Sequence, residues 1–255
     1  MIVLNAGSEQ RRILGICQVT TAGERRRVGR LAQAAGDGAY RVIGLDPYRD
    51  NVVLCLDGDA VDLSPRQFAL QPVGGAVFAS GVAAGLGVEK YFQIADPGAV
   101  FTLSGNFTIE WRSKMDSDAG YYGTIIAASA WVANTAWITY VGWSPGTAWG
   151  KSMLLRRQAN VLVSSLVGVI NPLAAYEFAL VCNNGVLRFY VDGSRCSESV
   201  TDAGVFNFSQ GGNLMIGYPP AGHADEGIHS LYRIRITKGV ARYTGDSYAI
   251  PESYT

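Results

Sequence analysis

The side chains best suited to chemistry in this sequence are aromatic, and they are concentrated between positions 121 and 149. Four tryptophans occur six residues apart, and two tyrosines precede them: Tyr121, Tyr122, Trp131, Trp137, Trp143 and Trp149. Exposed aromatic rings offer flat apolar surfaces with polar edges, which suit stacking on sugars or anchoring of a protein partner. Trp137 lies within an apolar run typical of a strand, so we expect it in the core.

The other three tryptophans lie among Ala, Asn, Ser, Pro and Gly, which are residues typical of loops and their borders. We therefore predict a carbohydrate-binding surface from six residues: Tyr121, Tyr122, Trp131, Trp143, Trp149 and Arg156. In this surface the guanidinium of Arg156 would bind an acidic sugar. Two alternatives stay open, because the tryptophans could fold back as plugs or bury a subunit contact, and Arg156 could simply solvate a strand end.

Carboxylates and histidines do not form a recognisable catalytic set. Cleavage of a glycosidic bond needs two carboxylates flanking that bond, yet Glu110 stands alone and Asp225-Glu226 lies in a loop bounded by glycine. No nucleophile motif accompanies His223 or His229, so we expect both histidines on exposed loops or rims. The sequence therefore predicts a protein that is not an enzyme.

Asp116 and Asp118 are the only candidate metal ligands that the sequence suggests. Their carboxylate oxygens could bind Ca²⁺, which takes six to eight oxygen ligands. Because only these two carboxylates are apparent locally, a solvated turn is favoured over a calcium site. We therefore expect no cofactor.

The four cysteines, Cys17, Cys55, Cys182 and Cys196, match no metal-ligand spacing. Thiols are favoured because the cytosol keeps cysteines reduced. Oxidation of Cys17 with Cys55, or of Cys182 with Cys196, stays open for a particle that leaves the cell.

Composition excludes several classes of protein for this chain of 255 residues. Its residues are 48% hydrophobic, 11% aromatic and 16% charged, which excludes intrinsic disorder. A formal net charge of zero favours neither nucleic acid nor anionic lipid as a partner. The apolar run at the N-terminus is too short for a signal peptide, and no run approaches the roughly 18 residues of a membrane span. We expect synthesis in a cytosol, with no membrane insertion.

Apolar and polar residues alternate with period two along several segments, which is typical of strands with one buried face. Phe107, Ile109 and Trp111 would share a face, as would Ile234 and Ile236. Turn signals such as Asn184-Gly185, Asp192-Gly193 and Pro219-Pro220 separate the segments. The sequence therefore predicts an all-β protein built from sandwiches.

A change in composition near residues 72 to 80 divides the chain, because the tryptophans all follow it. We predict a small β-sandwich for docking or spacing over residues 1–72 and a larger antiparallel jelly roll over residues 73–255. Within the first segment, the run Gly38-Ala-Tyr40-Arg-Val-Ile-Gly44-Leu45 resembles part of a carboxypeptidase-regulatory-like or fibronectin-like sandwich.

The second segment resembles a concanavalin A-like, laminin-G-type jelly roll. The resemblance rests on Leu103–Trp111, Tyr176–Gly193 and Leu214–Gly217, and on the run from Arg233 through Gly239 to Tyr243 with Pro251 after it. This last run resembles the ending of such domains in structural proteins of tailed bacteriophages. Glycoside hydrolases with the same jelly roll usually carry a Glu-x-Asp-x-x-Glu run, which is absent here.

The resemblance implies a structural protein of a phage virion, made in the cytoplasm of the host bacterium and attached to the tail, its fibres or its baseplate. The expected partners are other virion proteins, further copies of this chain in a symmetric particle and a bacterial surface polysaccharide bound for host attachment. One alternative is a decoration or cement protein of head or tail that binds no ligand. A glycan hydrolase is a further alternative, disfavoured for want of paired acids.

Overall fold

A computed structural model describes most of the chain. The described residues are 3–6, 9–12, 16–21, 24–29, 31–34, 40–43, 46–87, 89–96, 98–116, 122–128, 136–142, 151–158, 161–169, 173–209, 212–218 and 228–254. For the strands before position 46 and between 151 and 169 the description is of the backbone. The chain divides into two compact units, Met1–Arg49 with Thr255, and Asp50–Tyr254.

The described residues of the first unit form three antiparallel strand pairs, β1 with β2, β3 with β4 and β5 with β6. These strands are β1 (Val3–Ala6), β2 (Glu9–Arg12), β3 (Ile16–Thr21), β4 (Glu24–Gly29), β5 (Leu31–Ala34) and β6 (Tyr40–Ile43). The chain from Gly38 to Leu45, which resembles part of a small sandwich, therefore contributes β6 and its pairing with β5.

The second unit is a β-sandwich made of two large antiparallel sheets and one short strand pair. Its strands are β7 (Val52–Asp57), β8 (Gln71–Val73), β9 (Ala83–Leu86), β10 (Tyr91–Ala95), β11 (Thr102–Leu103), β12 (Phe107–Met115), β13 (Tyr122–Ala128), β14 (Ala136–Gly142), β15 (Lys151–Gln158), β16 (Val161–Val169), β17 (Tyr176–Asn183), β18 (Val186–Val191), β19 (Ser194–Thr201), β20 (Phe206–Asn207), β21 (Asn213–Ile216) and β22 (His229–Lys238). Sheet I has the order β16-β15-β14-β13-β21-β10-β8. Sheet II has the order β19-β18-β17-β12-β22-β7, with β9 also paired to β22, while β11 pairs with β20.

The core lies between the two sheets and is built by the alternation that the sequence predicts. Ile109 and Trp111 of β12 are fully buried there, and the Trp111 ring stacks on that of Phe178 with 5.2 Å between centroids. Ile234 and Ile236 of β22 join them, as do Phe92 and Ile94 of sheet I. The prediction of an all-β sandwich is confirmed.

Two hairpins of sheet II have the turns that the sequence predicts. Asn184 and Gly185 join β17 to β18 with φ values of 50° and 77°, and Asp192 and Gly193 join β18 to β19 with 46° and 75°. Positive φ at both central residues is the type I′ geometry, which matches the right-handed twist of the flanking strands.

The division between the units differs from the predicted boundary at residue 72. Strand β7, which the sequence analysis assigned to the first segment, pairs with β22 from Val52 to Asp57 and lies in sheet II. The change in composition near residue 72 therefore lies inside the second unit, at β8 and the turn that follows it. A strand read alone does not reveal its partner, because that partner can lie far along the chain, as β22 does here.

One edge strand of each sheet, β7 of sheet II and β8 of sheet I, is protected against pairing with another chain. At β7 the carboxylate of Asp62 accepts hydrogen bonds from the backbone N–H groups of Cys55 and Ser64, both at 2.9 Å. At the edge of sheet I, β8 contains Pro72, which has no N–H to donate. Among the described residues, no helix is long and apolar enough to cross a membrane.

Gly193 is a turn residue at which a larger side chain should be costly. A Cβ at this position would lie 2.5 Å from the carbonyl oxygen of Tyr248. Gly105 has a similar positive φ of 65°, but a Cβ there would meet nothing within 4 Å. We predict that Gly193→Ala lowers the free energy of unfolding by about 1–3 kcal/mol more than Gly105→Ala, measured by urea denaturation. Equal losses for the two variants would contradict the close approach.

Candidate functional site

Register places several of the candidate sugar-binding segments at one end of sheet I. Tyr122, at the start of β13, pairs with Gly142 at the end of β14, and Gly142 pairs with Lys151 at the start of β15. The connection carrying Trp143 and Trp149 therefore leaves and re-enters the sheet beside the start of β13. We call this end of sheet I, defined by Tyr122, Gly142 and Lys151, the aromatic end.

The remaining candidates belong to the opposite end of sheet I. The connection that contains Trp131 joins Ala128 of β13 to Ala136 of β14, and Ala136 pairs with Arg156. The register therefore separates the segments of Trp131 and Arg156 from those of the aromatic end. Tyr121, Trp131, Trp143, Trp149 and Asp118 lie outside the described residues, and Tyr122 and Arg156 are described by their backbone alone.

Asp116, one of the two candidate calcium ligands, uses both carboxylate oxygens within the fold. Oδ2 accepts a hydrogen bond from the Gly85 N–H at 2.9 Å, and Oδ1 accepts one from the Ser230 hydroxyl at 2.5 Å. These bonds connect the end of β12 to β9 and β22. Among the described residues, no cluster of three or more His, Cys, Asp and Glu side chains is placed to hold a metal ion.

His229 does not lie on an exposed rim, as the sequence suggested, because it is fully buried at the start of β22. Its backbone pairs with Met115 of β12 and with Leu86 of β9. The expectation of an exposed position rested on the glycines that precede His229 in the sequence, Gly222 and Gly227. The histidine itself is enclosed because its strand is paired on both sides.

The outer face of sheet II carries a buried ion-pair network that the sequence analysis did not anticipate. Glu110 of β12 accepts two hydrogen bonds from Arg235 of β22, from Nε at 2.7 Å and from Nη2 at 2.8 Å. Such a bidentate pair is among the strongest charge-assisted contacts in proteins. Only 1% of Glu110 and 4% of Arg235 is exposed, so this face is not a solvated surface.

A second pair of the same kind lies alongside the first. Glu177 of β17 accepts a hydrogen bond from Nε of Arg233 at 2.9 Å and another from its Nη2. Burial raises the pKa of the Glu177 carboxyl, while Arg233 and the Tyr254 hydroxyl act in the opposite direction. The guanidinium of Arg233 also donates to the backbone oxygens of Pro251 and Glu252.

The segment Val240–Tyr254, which we call the strap, covers this network. The ring of Tyr254 lies against both guanidinium groups, 4.5 Å from that of Arg233 and 4.6 Å from that of Arg235. Its hydroxyl donates to Glu177 at 3.0 Å, and that of Tyr243 donates to Glu110 at 2.5 Å. The strap therefore supplies both the cover and the remaining hydrogen bonds of the two carboxylates.

Burial changes the pKa values of the tyrosines of the strap and of Cys55, which lies against it. Burial, reinforced by the charge of Glu110, raises the pKa of the Tyr243, Tyr248 and Tyr254 hydroxyls. Burial raises the pKa of the Cys55 thiol to about 12, and this thiol donates to the Tyr254 carbonyl oxygen at 3.6 Å. Cys55, Cys182 and Cys196 carry thiols rather than disulfides.

The two glutamates do not form a hydrolytic pair. A glycosidase needs one carboxyl free to donate a proton and a second free to attack or activate water. Glu110 and Glu177 are each bound by an arginine and covered by a tyrosine. The signal for this network was present in the sequence, because Glu110 alternates with apolar residues of β12 as Arg233 and Arg235 do in β22.

Comparison with solved structures supports the fold. The receptor-binding domain of botulinum neurotoxin D matches with a TM-score of 0.57 and 12% identity over 76% of this chain and 51% of that one. The botulinum neurotoxin serotype D binding domain gives 0.56 and 11% over 76% and 49%. A structure of botulinum neurotoxin type C, whose cell entry depends on two ganglioside molecules, gives 0.56 and 12% over 74% and 48%. The chain spans about half the length of each.

No protein-family model matches the chain, and no curated protein sequence does. The likeness to neurotoxin binding domains is therefore one of fold. It supports the β-sandwich part of the resemblance drawn from the sequence. The laminin-G and phage parts of that resemblance stay predictions.

Removing one partner of the Glu110–Arg235 pair should destabilise the fold strongly, because the buried carboxylate loses both hydrogen bonds of its guanidinium partner and keeps only the more distant Arg242, whose Nε lies 3.7 Å away. We predict that Arg235→Met lowers the free energy of unfolding by about 3–5 kcal/mol. The control is Arg195→Met, since the partner of Arg195, Asp246, has a side chain that is 86% exposed. That control should cost less than about 1 kcal/mol in the same urea titration. Similar losses in both variants would show that burial adds nothing to the pair.

Alkylation of Cys55 should report whether the strap is in place. A rise in thiol pKa from 9.0 to about 12 lowers the thiolate fraction near pH 8 roughly a thousandfold. We predict that iodoacetamide labels Cys55 at least about a hundredfold more slowly in the folded protein than in urea. Peptide mass spectrometry separates Cys55 from the other cysteines. Equal rates in the two states would mean that the strap does not cover it.

Proposed function

We propose that this protein is a non-enzymatic virion component of a tailed bacteriophage that binds a glycan on the bacterial surface. The observation that carries the proposal is the register of sheet I, which gathers connections bearing Tyr121, Trp143 and Trp149 at the aromatic end. Aromatic rings grouped at one end of a rigid sandwich suit stacking on sugar rings. Rigid strands hold the ends of these connections, which limits the entropy lost on binding.

The neighbouring folds agree with a binding role. Two of the similar structures are named as binding domains, and the third is associated with ganglioside molecules, which carry glycans. Tail association is proposed from the run between Arg233 and Tyr243, which resembles the ending of phage jelly rolls.

Repetition in a symmetric particle would supply the affinity. Single contacts between a protein and a sugar are weak, with dissociation constants on the order of a millimolar, and several copies joined in one particle bind far more tightly. The unit Met1–Arg49 would attach the chain to other virion proteins. The formal net charge of zero suits such crowding, because neighbouring copies do not repel one another.

A decoration or cement protein without a ligand is the second candidate. Apolar side chains at the surface favour it, because Val61, Val77, Leu173 and Ile228 are each about half exposed. Such residues could be buried between copies in a particle. A glycan hydrolase is disfavoured, because the two buried glutamates of sheet II are bound by arginines.

A host-polysaccharide array probed with the full chain tests the proposal. We predict binding to at least one surface polysaccharide, weakened about tenfold by Trp143→Ala or Trp149→Ala, because each change removes a stacking surface. Tyr48→Ala is the matched control, since Tyr48 is an exposed aromatic of the other unit. It should leave the affinity unchanged, and thermal melting verifies that all variants fold.

Two results would overturn this function. If the wild-type chain binds no surface polysaccharide but assembles on virus particles, the cement candidate replaces it. If both tryptophan variants bind as tightly as the wild type, the aromatic end is not the binding surface.

A further inference from the structure

The outer face of sheet I contains an uncharged group of side chains near its β8 edge. Along β10, Phe92 and Ile94 point into the core, so Tyr91, Gln93 and Ala95 lie on the opposite face. Gln71 of β8 pairs with Gln93 on one side, and Met215 of β21 pairs with it on the other. Met215 is buried, and we call the surface formed by Tyr91, Gln93, Gln71 and Tyr218 the β10 face.

Two tyrosines form an aromatic platform at one end of the β10 face. The rings of Tyr91 and Tyr218 lie 4.4 Å apart at an angle of 47°, and both residues are partly exposed. Gly217 determines where Tyr218 lies, since its φ is +80° and its N–H donates to the Ile125 carbonyl oxygen at 3.0 Å. A Cβ on Gly217 would come within 2.9 Å of Leu86. The platform is therefore held in place before any ligand arrives.

Two amides lie next to this platform. Nε2 of Gln93 donates to Oε1 of Gln71 at 2.8 Å, and Gln71 is exposed. An amide side chain has two N–H donors and an oxygen with two lone pairs. The bond between the two glutamines therefore leaves the Gln93 carbonyl oxygen and the Gln71 amino group able to bind hydroxyl groups. A donor and an acceptor side by side match two neighbouring hydroxyls of a sugar ring.

We propose that the β10 face binds a neutral saccharide, with a pyranose ring stacked on Tyr91 and Tyr218 and its hydroxyls bonded to Gln93 and Gln71. The choice of a neutral sugar follows from the absence of charge among the described side chains of this face. This inference rests on the glycan-binding function proposed above and names a site and a ligand class for it. None of the four residues belongs to the candidates suggested by the sequence.

The β10 face also continues toward the aromatic end. Phe92 of β10 pairs with Ile216 of β21, which pairs with Ile126 of β13, so Tyr91 lies toward the end of the sheet where Tyr122 begins β13. Strand β14 is three strands from β10 in the sheet, or roughly 14 Å at the usual strand spacing.

A protein strand added to the edge of β8 fits the observations less well. Pro72 removes a hydrogen-bond donor from the middle of β8, and this strand has only three residues. The partly exposed tyrosines and glutamines lie on the flat face of the sheet. A sugar ring can stack on such a face, whereas an added strand binds at the edge of a sheet.

The full chain probed on an array of neutral hexose oligosaccharides of defined linkage tests the site. We predict that Tyr91→Ala and Tyr218→Ala each weaken the best interaction at least about tenfold and that Gln93→Ala weakens it about fivefold. Tyr91→Phe keeps the ring and should stay within about twofold of the wild type. Tyr232→Ala is the matched control, because Tyr232 is a partly exposed tyrosine of sheet II, and it should leave the affinity unchanged.

The outcomes separate this site from the general function. If Tyr91→Ala, Tyr218→Ala and Gln93→Ala bind as the wild type does while Trp143→Ala binds weakly, the β10 face is overturned and the function stands. If the wild type binds none of the neutral oligosaccharides but binds a polysaccharide of the host array, this site is overturned and the function stands, whereas binding to neither array overturns both. If the tyrosine variants lose self-association instead of sugar binding, the face is a protein contact and the proposal is wrong. Gln93→Ala alters no ring packing, so it keeps the test valid if Tyr91→Ala fails to fold.

Discussion

The pairing of two buried glutamates with two buried arginines is the constraint on which the second unit depends. Charged groups removed from water are costly unless each finds an opposite charge and its remaining hydrogen bonds. Glu110 and Glu177 obtain the charge from Arg235 and Arg233, and the strap supplies the tyrosine hydroxyls. Strands from three parts of the chain must therefore be in register before the strap can close over them.

This network explains what the residues of the run from Arg233 to Tyr243, which resembles phage jelly rolls, do in the fold. Arg233 and Arg235 bind the two glutamates, Gly239 allows the chain to leave β22 at φ 82°, and Tyr243 returns to Glu110. The features behind the resemblance therefore serve folding. Such a run identifies a kind of sandwich and says little about what the sandwich binds, because binding residues are added to a fold independently.

The described parts of the two outer faces differ. The strap lies across the outer face of sheet II, so the described part of that face offers tyrosines and arginines that already contact one another. The outer face of sheet I carries Tyr91, Gln93 and Gln71, and connections with aromatic residues join the ends of its strands. The partly exposed side chains at β8 and β10 lie on paired strands, and such preorganisation lowers the cost of association.

The sequence by itself determined the class of fold, because alternation such as Ile109 and Trp111 against Glu110 depends only on the two-residue period of a strand. It also determined the turns at Gly185 and Gly193, whose positive φ is a local property. Tertiary structure alone decided that β7 belongs to sheet II, that Glu110 lies beneath Tyr243, and that Tyr91 meets Tyr218. These are contacts between residues far apart in the chain, so no local pattern encodes them.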